Sequence, residues 1–289
     1  MWREEIKLDF PYDFDYSMRR LAFDDLNKID MDTKTIYVPI SVEEEVVVAT
    51  VQAIGTIKKP VFLIEGENEN QKKAVLAKIS ELFQWDVDLA QIDNFFKETS
   101  LAPLFKKHRY TPIVREFDLF GCLVKVIIHQ QLNMAFSQTL TSRFVHTFGH
   151  QKNGVWCYPS PKEVAALEYD QLTSLQFSKR KAEYIIDTAK LMVDKQLDLD
   201  ELAGLPDAEI FDQLLKVRGI GAWTIENWLL FGLGRADLFP KADIAIQQAL
   251  KNEFELEKRP TYPEMDEWNE RWMPYRSYAT MTLWRSIED

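Results

Sequence analysis

Apolar and polar residues recur along this chain at two different spacings. In the first hundred residues the runs are short. Residues 34–40 and 45–57 are rich in Val, Ile and Thr and end in polar turns, the pattern of strands, and residues 60–64 form a third such run. Residues 70–83 change the spacing: Ala74, Val75, Ala77, Ile79 and Leu82 fall close to one helical stripe. Beyond about residue 100 helical spacing takes over. Residues 117–148, 160–175, 179–195, 207–217, 223–231 and 243–254 predict helices, broken at Gly and Pro. The pattern therefore predicts an α+β N-terminal domain over residues 1–100 and a mainly α body over 101–289. No repeat of fixed period and no low-complexity tract interrupts it.

Composition narrows the picture. A chain of 289 residues, 46% hydrophobic and 28% charged, has ample material for a core and the balance of a globular protein. No apolar run approaches ~18 residues, so no membrane span is expected. The start, Met1-Trp2-Arg3-Glu4-Glu5, has acids and no apolar signal core, so no export is expected. Two cysteines, Cys122 and Cys157, cannot build a disulfide framework, a four-cysteine zinc site or a four-cysteine iron–sulfur site. A reducing cytoplasm is the expected setting. The four histidines show no metal-ligand spacing.

Charge adds a tension. The net charge of −11 argues at first sight against a phosphate-rich partner, whose neutralisation needs Lys and Arg. The sums are −8 for residues 1–100, +4 for 101–150 and −7 for 151–289. The positive window holds Lys106, Lys107, Arg109, Arg115, Lys125 and Arg143 with His108, His129 and His146. It reads either as a partner-facing patch or as an ordinary solvated surface.

Two segments could carry chemistry. Pro206-Asp207 opens a helix whose face is Ile210, Phe211, Leu214 and Leu215; Val217-Arg218-Gly219-Ile220-Gly221 breaks it; Ile225, Trp228 and Leu229 restart the stripe. Two helices joined by Gly-Ile-Gly bring backbone N–H groups to a helix N-terminus, where glycine allows close approach and the helix end favours an anion. Ile220 would tuck inward and hold the hairpin shut. A plain αα-hairpin with a glycine cap is the alternative. Twenty-two residues beyond Gly221 stands Asp243, after Leu238-Phe239-Pro240-Lys241-Ala242 and before a helical stretch. It is either an N-cap or a catalytic carboxylate kept ionised by the helix end.

Taken in order, these segments resemble a known family. Residues 215–224 with Phe239-Pro240 and Asp243 look like the helix–hairpin–helix plus Gly/Pro-Asp signature of DNA glycosylases, closest to the bacterial inducible 3-methyladenine glycosylase type. Ile127-Ile128-His129-Gln130-Gln131-Leu132 resembles that type's glutamine-bearing hinge. Arg271-Trp272-Met273-Pro274-Tyr275-Arg276-Ser277-Tyr278-Ala279, followed by Trp284, resembles its C-terminal motif. Pro11-Tyr12-Asp13-Phe14 resembles the entry to its N-terminal domain.

The resemblance implies a helix–hairpin–helix at about 207–231 and hydrolysis of the N-glycosidic bond of a flipped-out alkylated purine in duplex DNA. The products would be free base, with 3-methyladenine expected and 7-methylguanine open, and an abasic site for base excision repair. Asp243 matches the catalytic aspartate, stabilising an oxocarbenium-like sugar and orienting or deprotonating water. Trp223, Trp284 and Tyr278 match base-pocket aromatics, where a cationic base is drawn by cation–π attraction; core packing is the alternative for each Trp. Gly219, Ile220, Gly221 and Thr224 match the DNA-binding hairpin. Gln131 matches the side chain that fills the gap left by the base, Gln130 holds the hinge, and Leu132 completes it.

The position two residues after Gly221, where strand-cutting relatives place a Schiff-base lysine, is Trp223, so no lyase activity is expected. No cofactor and no metal catalyst are implied, with a monovalent cation at the hairpin as the one open possibility, and the protein is expected to be a monomer acting near the nucleoid. Asn227, Ile244, Arg19 and Arg20 depart from the family's pocket pattern, which leaves the lesion range open. A non-catalytic DNA-damage-binding protein is the competing reading, and retention of Asp243 speaks against it.

Overall fold

The structure, a computed structural model, describes residues 1–42 and 45–288, so residue 289, the expected end of the helical body, lies outside the described residues. It opens on a five-stranded antiparallel sheet in the order β1-β5-β4-β3-β2, formed by β1 (Trp2–Lys7), β2 (Lys28–Asp30), β3 (Thr35–Val42), β4 (Glu45–Ala53) and β5 (Val61–Gly66). Pairing of β3 with β4 sets Ile36 opposite Val51, Val38 opposite Ala49 and Ile40 opposite Val47. Ile36, Val38, Ile40, Val51, Phe62 and Ile64 are all at most 1% exposed, so alternate positions build the inner face. Helix α1 (Phe14–Leu21) leaves the end of β1, and α2 (Lys72–Leu82) covers the inner face with Val75, Ile79 and Leu82.

The body is helical: α3 (Leu89–Phe96), α4 (Ala102–Lys107), α5 (Leu119–His129), α6 (Met134–Phe148), then a hairpin of β6 (His150–Lys152) and β7 (Val155–Cys157). There follow α7 (Pro161–Ala165), α8 (Tyr169–Ser174), α9 (Lys179–Val193), α10 (Leu199–Ala203), α11 (Asp207–Leu214) and α12 (Ala222–Asn227). Helix α12 runs into a π-turn, Trp228–Gly232, and α13 (Ile244–Glu253), α14 (Tyr262–Glu270) and α15 (Arg276–Glu288) complete the chain. No helix among the described residues is long and apolar enough to cross a membrane. The α+β fold followed by a mainly helical body is as the pattern predicts.

Several boundaries differ from the pattern. The run at 117–148 is two helices, because Gln130 leaves the helix and Gln131 takes a left-handed φ of +56° before Asn133 caps α6 through its side chain. The run at 160–175 is also two helices, α7 and α8, each closed at its N-terminus by a capping box. Strand β4 stops at Ala53, where the chain turns toward Pro60. The pattern assigns no element to the stretches that hold β1, α1, β2, α3, α4, β6, β7, α10, α14 and α15.

Buried ions join the sheet unit to the body. Lys125 on α5 donates to Asp24 at 2.6 Å and to Glu116 at 2.7 Å, with all three side chains at most a quarter exposed. Arg115 is buried and donates to the Gly232 carbonyl, the Glu81 carbonyl and the Glu81 carboxylate, fastening α2 to the π-turn. Arg285 on α15 pairs with Asp13, the cap of α1, at 2.7 Å. The basic window at 101–150 is thus split: Lys106 and Lys107 on α4 are exposed, and the other bases are engaged. Arg115 and Lys125 turn inward, Arg109 pairs with Asp93, and Arg143 bonds Gln176.

Replacing Lys125 with Met leaves two acids facing each other in a semi-buried site. The variant is expected to lose about 3 kcal/mol of unfolding free energy, measured by urea titration at neutral pH. A loss below about 1 kcal/mol would mean the cluster behaves as surface pairs do.

Candidate active site

The site starts from a helix end. Asp243 is the N-cap of α13: its Oδ1 accepts the Ile246 amide at 2.9 Å. The loop before it is stiff, since Pro240 is buried and its carbonyl accepts the Asp243 amide at 2.9 Å. The same Oδ1 also accepts Nε1 of Trp284 on α15 at 3.3 Å. Both bonds fall on one oxygen, and Oδ2 has no hydrogen bond among the described residues. Asp243 is half-buried, so its carboxylate is held and still reachable. The N-cap and the reactive-carboxylate readings of this residue describe one geometry.

Trp284 is 7% exposed and stacks on Phe231 with ring centres 5.6 Å apart and planes 20° from parallel. Phe231 is carried by the π-turn, whose wider winding follows directly on α12. Over these two rings lies the guanidinium of Arg20 from α1, with its carbon 5.3 Å from the Trp284 ring centre and 5.7 Å from that of Phe231.

The hairpin and the hinge are bound together. Gly219 has φ +91°, and a Cβ there would come within 2.2 Å of the Tyr184 ring, so only glycine fits. Ile220 is buried, as its tucked position requires, whereas Gly221 is exposed and a Cβ on it would meet open space. Gln130 Nε2 donates to the Gly219 carbonyl and to Thr224 Oγ1, each at 2.8 Å. Lys181 on α9 donates to the carbonyls of Ile127, Ile128 and Gln130 at 2.7–2.9 Å, closing the C-terminus of α5. Just beyond that clamp Gln131 is exposed, Leu132 is half-buried, and Met134 and Phe136 present apolar surface.

The other sequence-derived residues are spread around this frame. Trp223 is half-buried at the start of α12, and its carbonyl accepts Asn227 Nδ2 at 2.7 Å. Asn227 is 9% exposed and Ile244 62% exposed. Tyr278 requires a correction as a pocket ring. It is 1% exposed, its hydroxyl donates to Gln84 at 3.4 Å, and its edge meets Tyr275, so it is core between α15 and the end of α2. Burial, then the nearby charges of Asp86 and Tyr275, hold its hydroxyl protonated well above the usual phenol range. Sequence reasoning missed Phe231 as the ring stacked on Trp284 and Lys181 as the clamp. Neither sits in a motif; only the π-turn and the α5–α9 packing bring them in.

A cavity of about 930 Å³ opens elsewhere, between the sheet and the β6–β7 hairpin, lined among others by Asp24, Glu116 and Tyr158. It contains neither Asp243 nor Trp284. Among the described residues no group of three or more His, Cys, Asp or Glu could hold a metal ion.

Comparison with known proteins fits this geometry. Residues 124–274 match the family model described as HhH-GPD superfamily base excision DNA repair protein. The chain is 45% identical over its whole length, and over all of its relative, to Bacillus subtilis YfjP, whose name provisionally assigns it as a DNA-3-methyladenine glycosylase. A second Bacillus subtilis protein, named DNA-3-methyladenine glycosylase, is 30% identical over 75% of this chain and 73% of its own. The solved 3-methyladenine DNA-glycosylase of Archaeoglobus fulgidus shares the fold, with a TM-score of 0.85 at 21% identity, covering 100% of this chain and 99% of its own.

The hinge carries a pH signature. Burial first, and the Lys125 charge second, push the His129 imidazole down to about 4, while Nε2 faces Thr141 Oγ1 at 3.2 Å. An unfolded chain takes up that proton near pH 6.5, and the native one refuses it until about 4. Stability is therefore full above pH 6.5 and falls as pH drops through 6.5 toward 4, by roughly 2–3 kcal/mol from this residue. In His129→Gln that part of the acid slope should vanish in urea titrations run from pH 7 to 4; an unchanged slope would assign it to other groups.

Proposed function

We propose that this chain, which belongs to the HhH-GPD superfamily of base excision DNA repair proteins, hydrolyses the N-glycosidic bond of alkylated purines in duplex DNA and leaves an abasic site. The observation that carries the reading is the carboxylate of Asp243, fixed through Oδ1 by the α13 N-terminus and the Trp284 indole, beside an aromatic pair and downstream of the hairpin.

Chemistry on a base needs the base out of the stack. Gln131 is the residue proposed to enter the vacated space, because it stands exposed on a backbone locked by the Lys181 and Gln130 bonds. The flipped base would stack beside Trp284 and Phe231, with Trp223 closing the site from α12. The bond from C1′ to the base nitrogen then breaks, and its electron pair leaves with the base, neutralising the charge that ring methylation created. Positive charge develops on the sugar, where the Asp243 carboxylate stabilises it. Water adds to C1′ and loses a proton toward Oδ2, the oxygen without a structural bond.

Trp223 stands where a lysine amine would be needed for strand cleavage, and Lys241, the lysine closest in sequence to Asp243, is engaged with Asp266 at 2.7 Å. We therefore assign no lyase step. The hairpin carbonyls at Val217 and Gly219 already accept the Ile220 amide and Gln130 and keep a second lone pair, so a monovalent cation is compatible there; no step above depends on one.

Asp243→Asn keeps the cap and removes the charge. Release of 3-methyladenine and 7-methylguanine from methylated duplex DNA should fall on the order of 100-fold or more, while DNA binding survives. Equal release by both proteins removes Asp243 from its role, and no release by the native protein favours a damage-binding module. Strand breaks produced without alkali would defeat the monofunctional assignment. The exposed Arg218 is paired with Glu183 and Lys241 with Asp266, while the exposed Lys179, Arg180 and Lys216 stand on the elements that carry the hinge clamp and the hairpin, enough for about three phosphate contacts. The plot of log affinity against log salt for undamaged duplex should have a shallow slope, on the order of −3, and a slope near −8 would contradict this.

A further inference from the structure

Arg20 does not belong to the chemistry described above, and its position is unusual. It comes from α1, in the sheet unit, and reaches across to α15. Its guanidinium lies over both rings of the Trp284–Phe231 pair and is bonded to the carboxylate of Glu288, with 20% of its side chain exposed. Burial would favour loss of its proton, but the charges of Tyr16, Glu288 and Glu116 outweigh burial, so it stays a cation. Trp284 is at the same time the hydrogen-bond donor to Asp243. The cation is therefore one ring away from the proposed reacting carboxylate, in contact with the surface on which a flipped base would stack.

A guanidinium is flat, delocalised and weakly hydrated, and it stacks on aromatic faces as a planar cationic base does. The two compete for the same ring electrons and the same carboxylates, and like charges in a dry site repel. A neutral base meets only the steric half of this competition. We infer that Arg20 is a specificity-determining residue: a resident cation of the base site that handicaps positively charged bases relative to neutral ones. The inference rests on the glycosylase reading and refines its substrate class. It assigns to Arg20 the choice between lesion classes and leaves bond cleavage to Asp243. Because α1 is held against α15 by the Asp13–Arg285 pair as well, the cation is a fixed part of the pocket.

The test compares one cationic and one neutral lesion. Single-turnover base release is measured from duplexes carrying 7-methylguanine or hypoxanthine, for the native protein, Arg20→Ala and Arg20→Lys. The ratio of the two rates should rise at least tenfold toward 7-methylguanine in Arg20→Ala and stay within about threefold of native in Arg20→Lys, which keeps the charge. A ratio unchanged in Arg20→Ala, or raised equally in Arg20→Lys, overturns the inference; a merely structural role would lower both rates together.

A second arm needs no turnover. Calorimetric titration with 1-methylnicotinamide, a planar cation, and with neutral nicotinamide should show the cation gaining at least fivefold in affinity in Arg20→Ala and the neutral ring gaining none. Equal affinities in native and variant overturn the inference. Failure of the native protein to release any base defeats the glycosylase reading alone, and this arm still decides the cation's role. Arg20→Gln, with circular dichroism as the folding control, replaces Arg20→Ala if that variant does not fold.

Discussion

One oxygen atom joins the two halves of the candidate site. Oδ1 of Asp243 accepts a backbone amide from the first turn of α13 and the indole N–H of Trp284. The first bond ties the carboxylate to the end of a helix whose dipole favours an anion. The second sets the distance between that anion and an aromatic wall. Every other part of the site is arranged around this junction. Helix α15 brings Trp284, the π-turn brings Phe231, and the buried Arg115 holds the π-turn through the Gly232 carbonyl. The cap and the indole bond fix the carboxylate in place through one oxygen, and its second oxygen has no hydrogen bond among the described residues.

The hinge and the hairpin show the same economy with polar groups. Gln130 is spent on the hairpin carbonyl and on Thr224, Lys181 on the last carbonyls of α5, and both leave Gln131 standing free on a left-handed backbone. An exposed residue on a rigid base suits insertion into a duplex, because little order has to be gained on contact.

Much of this was legible in the chain. The hairpin glycines, Asp243 and the glutamine hinge stand in motifs whose spacing is fixed by local geometry: a left-handed turn needs Gly219, and a helix start needs a cap. The fold class followed from the change of period near residue 100. Other features depend on contacts between residues far apart in sequence, and no local pattern encodes them. Phe231 faces the site only because the helix widens into a π-turn, and Tyr278 is core because Gln84, nearly two hundred residues earlier, meets its hydroxyl. The basic window misled for the same reason. Counting charges along the chain cannot show that Lys125 and Arg115 are turned inward onto Asp24, Glu116 and Glu81.

The π-turn, the hairpin, the hinge and Asp243 all fall within residues 124–274, the stretch shared with the family. Arg20, Trp284 and Glu288 fall outside it, one near the start of the chain and two at its end. The site is therefore assembled from the stretch that the family model matches and from the two ends of the chain, which the full-length likeness to YfjP also covers. A substitution confined to either end therefore changes what borders the Trp284–Phe231 pair without touching the hairpin or Asp243.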